Sequence, residues 1–299
     1  MKKTARKPLE NRVPAKSAPI GVFDSGVGGL TVLRALSAAL PAENFVYLGD
    51  TARLPYGTKS NETVARYALQ ASETLAGYGI KALVVACNTA SAASLPSIRE
   101  RLSGIPVIGV IEPGAEVACR LTRTGHIGVI ATEATVRGGA YQDAIQRRRP
   151  DAMVSVRPAQ LFVALAEEGL HEGPIAQAVA RHYLESLFHP PAAVTKAGEV
   201  TGGSEKASAP DTLVLGCTHF PMLVTAIRAV VGHAVRIVDS AATTAKTVRE
   251  TLGTAGLSSS TGRSAVRFLA TDGPERFARV GSRFLGQTLS PSDVELIDL

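Results

Sequence analysis

Two segments of this chain, 130 residues apart, read almost alike and limit its fold more than any other feature. They are Leu83-Val-Val-Ala-Cys-Asn-Thr and Leu213-Val-Leu-Gly-Cys-Thr-His. Each is an aliphatic run that ends in a small residue, a cysteine and polar groups. Because the chain has only three cysteines, the match indicates one chemical group presented twice, from two related halves, toward a single site.

Eight short aliphatic runs, bounded by Gly, Asp, Asn or Pro, alternate with longer stretches of helical spacing. The runs predict buried parallel strands at 19–23, 44–49, 82–86, 106–111, 126–130, 152–156, 212–216 and 235–239. The spacing predicts helices over 29–39, 60–78, 91–102, 136–147, 173–188 and 221–231. Alternation of this kind predicts an α/β fold with mainly parallel sheets.

The eight predicted strands form two sets of four that pair in order. Ile20-Gly-Val matches Ile127-Gly-Val at an offset of 107 residues, whereas the cysteine strands are offset by 130. One insertion explains the jump, and residues 189–210, rich in Pro, Gly, Ser and Ala, are typical of a flexible surface insertion. We therefore predict two similar α/β domains with the active site in the cleft between them. Their predicted bounds are 18–111 plus 239–299 for the first domain and 112–238 for the second.

The net charge of +6 is concentrated in the first 17 residues, which carry +5. Residues 1–17 are predicted to be a disordered basic tail, and the nearly neutral remainder argues against nucleic acid as a partner. No apolar run approaches the ~18 to 20 residues of a membrane-spanning helix, so no membrane association is expected. The tail lacks the apolar stretch of a secretory signal. The odd number of cysteines argues against a disulfide framework and favours the cytoplasm.

Polar clusters follow the predicted strands, where open α/β sheets bind ligands. They are Asp24-Ser25-Gly26, residues 50–57, Cys87-Asn88-Thr89 and Cys217-Thr218-His219. Gly26-Val-Gly28 begins a dinucleotide fingerprint, but Thr31 stands where its third glycine belongs. A carboxylate at Asp24 would also face the pyrophosphate. The same glycines at a helix N-terminus could instead hold a small carboxylate through backbone N–H groups.

The three cysteines differ in their predicted surroundings. Cys119 lies within a helical stretch and is predicted to be a small buried hydrophobe. Cys87 and Cys217 each end a strand and meet a predicted helix N-terminus, where the pKa of a thiol is expected to fall toward neutrality. Three chemistries stay open for this pair: a redox disulfide, a zinc site completed by Asp24 and His219, and a cysteine hydrolase, which leaves one cysteine unexplained.

Proton transfer at a stereocentre is the option that uses both cysteines equally. One thiolate removes the α-proton from one face of a substrate while the opposing thiol donates to the other face. Contacts of about 3 to 3.5 Å to the carbon place the sulfurs roughly 6 to 7 Å apart, on opposite walls of a cleft. Racemisation also accounts for the duplication, because mirror-related products require mirror-related bases.

Five stretches of the chain closely resemble the cofactor-independent glutamate racemases. They are Gly21-Val-Phe-Asp-Ser-Gly-Val-Gly-Gly-Leu, Tyr47-Leu-Gly-Asp-Thr-Ala-Arg-Leu-Pro-Tyr-Gly, Val85-Ala-Cys-Asn-Thr-Ala-Ser, Pro106-Val-Ile-Gly-Val-Ile-Glu-Pro-Gly and Leu215-Gly-Cys-Thr-His-Phe-Pro. The resemblance implies the two-domain aspartate/glutamate racemase fold, glutamate as substrate, and neither cofactor nor metal. It also implies a bacterial cytoplasm, in which D-glutamate is supplied for peptidoglycan. The oligomeric state is left open, with a homodimer as one option.

The resemblance assigns roles to individual residues. It implies that Cys87 exchanges the α-proton with D-glutamate, assisted by Asp24, and that Cys217 exchanges it with L-glutamate, assisted by His219. Asp50 and Glu167 are implied as supporting residues. The implied substrate-binding residues are Asp24, Ser25, Pro55, Tyr56, Gly57, Asn88, Thr89, Thr218 and His219.

The chain departs from the family pattern at three places. The basic tail and the 189–210 insertion are additions, and Ala159-Gln160 stands where the family usually has Cys-Pro. Two alternatives therefore stay open beside glutamate racemisation. One is an aspartate racemase of the same fold, and the other is a binding or sequestering protein with secondary catalysis that uses the tail and the insertion.

Overall fold

A computed structural model describes residues 15–189, 209–260 and 265–299. The predicted tail (1–17) and the predicted insertion (189–210) lie almost wholly outside the described residues, so both stay predictions.

The described residues form ten strands, and all eight predicted strands are among them, each within two residues of its predicted bounds. The strands are β1 (Ile20–Asp24), β2 (Phe45–Gly49), β3 (Ala82–Val85), β4 (Val107–Gly109), β5 (His126–Ala131), β6 (Met153–Pro158), β7 (Thr212–Gly216), β8 (Arg236–Asp239), β9 (Val266–Ala270) and β10 (Val294–Leu296). The sequence pattern missed β9 and β10. Both are partly exposed, and β10 has only three residues, so neither forms a continuous aliphatic run.

The strands form two parallel sheets of the same topology. The first sheet has the order β10-β9-β2-β1-β3-β4, and the second has the order β6-β5-β7-β8. In each half the first strand lies between the second and the third, and the fourth follows the third. The predicted fold class, two similar α/β units with parallel sheets, is therefore confirmed. The sheet of the first unit has two added strands, β9 and β10, at its β2 edge.

Helices connect the strands of the described residues. They are α1 (Leu30–Ala39), α2 (Asn61–Gly77), α3 (Asn88–Arg101), α4 (Ile111–Leu121), α5 (Glu133–Arg137), α6 (Ala140–Arg148), α7 (Leu161–Glu168), α8 (Gly173–Phe188), α9 (Val224–Val231), α10 (Ser240–Thr254) and α11 (Pro274–Leu285). The predicted helix over 221–231 begins as a 3-10 helix, Phe220–Leu223, before α9. The predicted range 136–147 covers α6 and only the end of α5. Helices α4, α7, α10 and α11 lie outside the predicted helix ranges.

Helix α11 owes its bounds to two glycines and its position to one apolar face. Gly273 and Gly286, which flank it, have φ angles of 59° and 77° in the left-handed region that favours glycine. Phe277, Val280 and Phe284 are buried on one face of the helix, while its arginines lie on the other. The sequence pattern missed this helix because its apolar residues are interrupted by a glutamate and three arginines.

A single apolar core spans both halves. It joins α1, α10 and α11 of the first half to α7, α8 and α9 of the second, and Cys217 belongs to it. Cys87 belongs to a separate core in the first half, with residues of α2 and α3. Because α10 packs against both α1 and α4, the domain bounds at residues 111 and 239 stay a prediction. No helix in the described ranges is long and apolar enough to cross a membrane.

Candidate active site

A cavity of about 800 Å³ lies between the two halves, at the carboxyl ends of β1, β3, β5 and β7. Its position agrees with the rule for ligand sites in open α/β sheets. The residues that border it are Ser25, Thr51, Leu54, Pro55, Tyr56, Gly57, Cys87, Asn88, Thr89, Thr132, Gln160, Leu161, Val163, Ala164, Glu167, Tyr183, Cys217, Thr218, His219 and Arg276. Of the predicted site residues, Asp24 and Asp50 are not among them.

Cys87 is the N-cap of α3, and its sulfur accepts a hydrogen bond from the backbone N–H of Ala90 at 3.4 Å. The thiol donates to Oγ of Ser25 at 3.5 Å. Burial, followed by repulsion from the carboxylate of Asp24, raises the pKa of Cys87 to about 12. The expectation that a helix N-terminus lowers this pKa was wrong, because loss of solvation outweighs the contribution of a single N–H.

Cys217 follows β7 and has a charged neighbour. Its sulfur lies 3.7 Å from Nδ1 of His219. Burial by itself would lower the pKa of His219, but its contacts with Cys217 and Glu167 outweigh burial and raise that pKa to about 10. His219 is therefore an imidazolium at neutral pH, with an N–H directed at the sulfur. The helix turn that follows is a short 3-10 helix, so the predicted α-helix N-terminus does not lie at Cys217.

Glu167 and Arg276 continue this chain of contacts. Oε1 of Glu167 accepts from Nε2 of His219 at 3.1 Å, and Oε2 accepts from Nη2 of Arg276 at 2.8 Å. Burial would raise the pKa of Glu167, but hydrogen bonding and charge from His219 and Arg276 lower it to about 2. A series of contacts through His219, Glu167 and Arg276 thus connects Cys217 to α11.

Asp24 is fully buried and lies outside the residues that border the cavity. Its carboxylate oxygen Oδ2 accepts from the backbone N–H of Gly26 at 2.9 Å, and burial raises its pKa although the charge of His219 opposes this. The N–H of Gly26, one of the glycines predicted to hold a ligand carboxylate, therefore binds the chain's own Asp24. The side-chain hydrogen-bond partner of the Cys87 thiol is Ser25, while Asp24 affects that thiol through its charge, which raises the pKa of Cys87. The predicted assistance of Cys87 by Asp24 stays a prediction.

Gly28 lets the two halves approach each other. A Cβ atom at this position would lie 2.4 Å from Oγ1 of Thr218 and 2.4 Å from Cε1 of His219. Thr31 adds a hydrogen bond across the same contact, from its Oγ1 to the carbonyl of Thr218 at 3.1 Å. The glycine-rich stretch that resembles a dinucleotide fingerprint is therefore filled by protein and leaves no room there for a pyrophosphate.

Asp50 supports the cavity wall from behind. Its carboxylate accepts from the hydroxyl of Tyr56, from Nε of Arg53 at 2.6 Å and from Oγ1 of Thr271 at 3.0 Å. These bonds hold the segment that presents Pro55, Tyr56 and Gly57 to the cavity. Asp50 is fully buried and engaged by protein groups, and it does not border the cavity.

The polar residues that follow Cys87 bridge the halves. Nδ2 of Asn88 donates to the hydroxyl of Tyr141 at 2.8 Å, while Oδ1 of Asn88 is buried without a hydrogen-bond partner in the described part of the chain. The hydroxyl of Thr89 lies 2.9 Å from that of Thr132 and 3.2 Å from that of Thr135. These two predicted residues thus meet second-half side chains that sequence reasoning missed.

One of the missed residues, Thr132, could have been identified from the duplication itself. The offset of 107 residues that relates Ile20 to Ile127 also relates Ser25 to Thr132, and both border the cavity. Arg276 had no such signal, because α11 has no counterpart among the described residues of the second half.

The structure also bears on two further predictions, the burial of Cys119 and the zinc alternative. Cys119, predicted to be a small buried hydrophobe, packs against the core of the second half but is only partly buried, with its sulfur 3.9 Å from the carbonyl of Ile145. Within the described ranges, no group of three or more His, Cys, Asp or Glu side chains is arranged to hold a metal ion. Cys87 and Cys217 are both free thiols.

Comparisons with known proteins agree with this arrangement. The family model Asp/Glu/Hydantoin racemase matches residues 20–248. The chain is 48% identical over 271 residues to the glutamate racemase of Geobacter metallireducens, a match that covers 90% of this chain and 93% of that one.

Two solved structures are similar to this chain in their fold as well as in sequence. A glutamate racemase isoform of Bacillus anthracis has a TM-score of 0.84 at 36% identity, covering 95% of this chain and 98% of that one. The glutamate racemase of Francisella tularensis in complex with D-glutamate has a TM-score of 0.82 at 35% identity, with the same coverage. The chain is therefore an isomerase that belongs to the Asp/Glu/Hydantoin racemase family.

Proposed function

We propose that this enzyme interconverts L-glutamate and D-glutamate through two opposed cysteine side chains, without a cofactor. The single observation that supports this most is that Cys87 and Cys217, at equivalent positions of two similar halves, border one cavity. The relatives at high identity are named glutamate racemases, which favours glutamate over the aspartate alternative.

In the direction from L- to D-glutamate, the thiolate of Cys217 takes the α-proton and becomes a thiol. The thiol of Cys87 then donates its proton to the opposite face of the α-carbon and becomes a thiolate. The protonation states of the free site suit this direction, because Cys87 is a neutral thiol and the imidazolium of His219 faces Cys217. The reverse reaction begins from the opposite protonation of the two sulfurs.

The cavity offers partners for each polar group of glutamate. The ammonium is the substrate's hydrogen-bond donor at neutral pH, and we expect it at Oδ1 of Asn88, a buried acceptor that has no hydrogen-bond partner among the described residues. The two carboxylates require donors, and the hydroxyls of Ser25, Thr89 and Thr218 border the cavity.

An amino-acid α-proton is far less acidic than a thiol, so the site must stabilise a carbanion-like transition state. Fixed donors and charges act most strongly where water is excluded. The apolar wall of Leu54, Leu161 and Val163 would exclude water once a ligand fills the cavity. Bringing two thiols to contact distance of one carbon supplies the remaining advantage.

Proton exchange in deuterated water tests this proposal directly. With either enantiomer of glutamate, the newly formed enantiomer should carry deuterium while the recovered substrate keeps its protium at early times. Circular dichroism follows the inversion, and aspartate serves as the comparison substrate. Cys119→Ala is a matched control because Cys119 lies outside the cavity. Binding of glutamate without inversion would favour the sequestering alternative, and faster turnover of aspartate would favour the other racemase.

The metabolic role follows from the proposed product. D-glutamate formed in a bacterial cytoplasm would be available for peptidoglycan, and expression of this chain should restore growth of a D-glutamate auxotroph. A homodimer stays a prediction. Failure of the catalytically active protein to restore growth would contradict the role in peptidoglycan supply without contradicting the reaction.

A further inference from the structure

Helix α11 of the first half contacts Glu167 of the second half twice. Nη2 of Arg276 donates to the carboxylate oxygen Oε2 at 2.8 Å, and Nη1 of Arg283 donates to the backbone carbonyl of Glu167 at 3.1 Å. Phe284 of the same helix packs edge-on against the ring of His219, with 5.1 Å between ring centroids. One helix thus touches the residues that stand behind Cys217.

The carboxylate of Glu167 has one oxygen for each half of the molecule. Oε1 accepts a hydrogen bond from Nε2 of His219 in the second half, and Oε2 accepts one from Nη2 of Arg276 in the first half. Glu167 is 14% exposed and borders the open cavity, so without Arg276 its carboxylate is free to turn toward water. Such a turn would remove the acceptor that orients the imidazolium against Cys217.

We propose that Arg276 is a positioning residue that holds the carboxylate of Glu167 on His219, so that the Cys217 base depends on a contact from the opposite half. This inference rests on the two-cysteine mechanism proposed above. The two bases then depend differently on the packing between the halves. Ser25 and Asp24, which lie near Cys87, belong to the same half as that cysteine, whereas Arg276 and Cys217 belong to opposite halves.

Two physical effects of removing Arg276 have opposite signs. The groups that face Glu167 are His219, Arg276 and Arg283, with the charge of Asp24 farther behind. If Arg276 acted only as a nearby positive charge, its removal would raise the pKa of His219. If it holds Glu167 in place, its removal loosens the Glu167–His219 hydrogen bond, and the pKa of His219 falls from about 10 toward its ordinary value.

The test compares Arg276→Gln with Arg283→Gln, a matched control on the same helix that removes a donor to the backbone only. We expect Arg276→Gln to lower kcat for glutamate about tenfold, the scale of one hydrogen bond to a charged group. The alkaline limb of kcat against pH should move to lower pH. Arg283→Gln should keep near wild-type kcat and the wild-type pH profile.

A double-mutant cycle tests whether Arg276 acts through Glu167. In a Glu167→Gln background, Arg276→Gln should change kcat by less than about twofold, and Arg276→Lys, which keeps charge and a donor, should recover part of the loss in the wild-type background. Additive losses would overturn the proposal, as would equal losses from Arg276→Gln and Arg283→Gln, or a limb that moves to higher pH. A rise in KM at unchanged kcat would overturn it too, because it would assign Arg276 to substrate binding.

The proposal and the mechanism beneath it fail in different ways. If the wild-type enzyme gives no racemisation of glutamate, the proposed function is at fault. If the wild type is active and the variants behave as additive or neutral changes, the role of Arg276 is at fault. Arg276 is 47% exposed, so Arg276→Gln should fold, and a thermal unfolding curve close to that of the wild type checks this.

Discussion

The two cysteine loops occupy equivalent places in the two halves, yet their surroundings differ in charge. Cys87 is buried beside the hydroxyl of Ser25, with a carboxylate behind it, and its pKa is raised. Cys217 lies beside an imidazolium that is itself held by Glu167. The comparison shows that repeated topology places two sulfurs alike, while the charged side chains near them are not repeated.

The difference between the loops is limited by thermodynamics. The enantiomers of glutamate have equal free energy in water, so kcat/KM must be the same in both directions for any variant. Unequal bases can therefore differ in proton exchange, in pH dependence and in how kcat and KM divide, but not in net efficiency.

Removal of either sulfur should have the largest effect. Cys87→Ser and Cys217→Ser should each lower racemisation in both directions by about a thousandfold or more, the scale of a lost acid/base group. Exchange should separate the variants, because Cys217→Ser keeps the base expected to act on D-glutamate and Cys87→Ser keeps the one for L-glutamate. Deuterium incorporation into each enantiomer measures this, with Cys119→Ser as the control. Full activity of either variant would rule out two bases.

Replacement of the imidazolium should come next. His219→Asn should lower kcat about a hundredfold, because an amide keeps a donor near Cys217 but carries no positive charge. Exchange of the α-proton of L-glutamate should be slowed more than that of D-glutamate. Equal slowing of both, measured by proton NMR in deuterated water, would contradict the assignment of His219 to Cys217.

The same variant tests the charge of His219 through folding stability. The pKa of His219 is raised to about 10 in the folded protein, above the ordinary value near 6.5. Its stabilising proton is therefore fully bound below about pH 6.5, and that stability is lost as the pH rises toward 10. Thermal unfolding of wild type and His219→Asn should differ most near pH 6 and converge near pH 10. A constant difference would mean that His219 is neutral.

The other side of the comparison predicts a smaller loss. Ser25→Ala removes the neutral hydroxyl that contacts Cys87, and we expect kcat to fall about fivefold, the scale of one neutral hydrogen bond. The effect should not depend on pH near neutrality, because no charged group is removed. A loss as large as that of His219→Asn would show that the Cys87 side relies on Ser25 more than its burial and Asp24 suggest.

The sequence was sufficient for the parts of the molecule that repeat. Eight strands, the shared topology and both cysteines follow from local aliphatic patterns, since burial on both faces of a parallel sheet leaves that pattern. The prediction of burial was wrong for β6 and β8, which lie at the edges of the second sheet and are largely exposed or half-buried. The pKa of Cys87 did not follow, because a local helix N-terminus was weighed without the desolvation that only tertiary packing creates. Arg276 and α11 did not follow either, since their contact with Glu167 joins residues 109 positions apart.

The smallest predicted effect concerns Tyr141, which contacts both cysteine loops. The ring of Tyr141 packs against Gly216, where a Cβ would lie 2.9 Å from Cε2, and its hydroxyl receives Nδ2 of Asn88. Tyr141→Phe keeps the ring contact beside Cys217. It removes the bond to Asn88 beside Cys87 and a weaker contact, at 3.4 Å, with Oγ of Ser240. We expect unfolding free energy to fall by about 1 kcal/mol and KM for glutamate to rise about threefold, with kcat nearly unchanged. Calorimetry and steady-state kinetics measure the two separately. A fall in kcat at constant KM would mean instead that the hydroxyl aligns the sulfurs, and the two unlike loops would then share one structural adjustment.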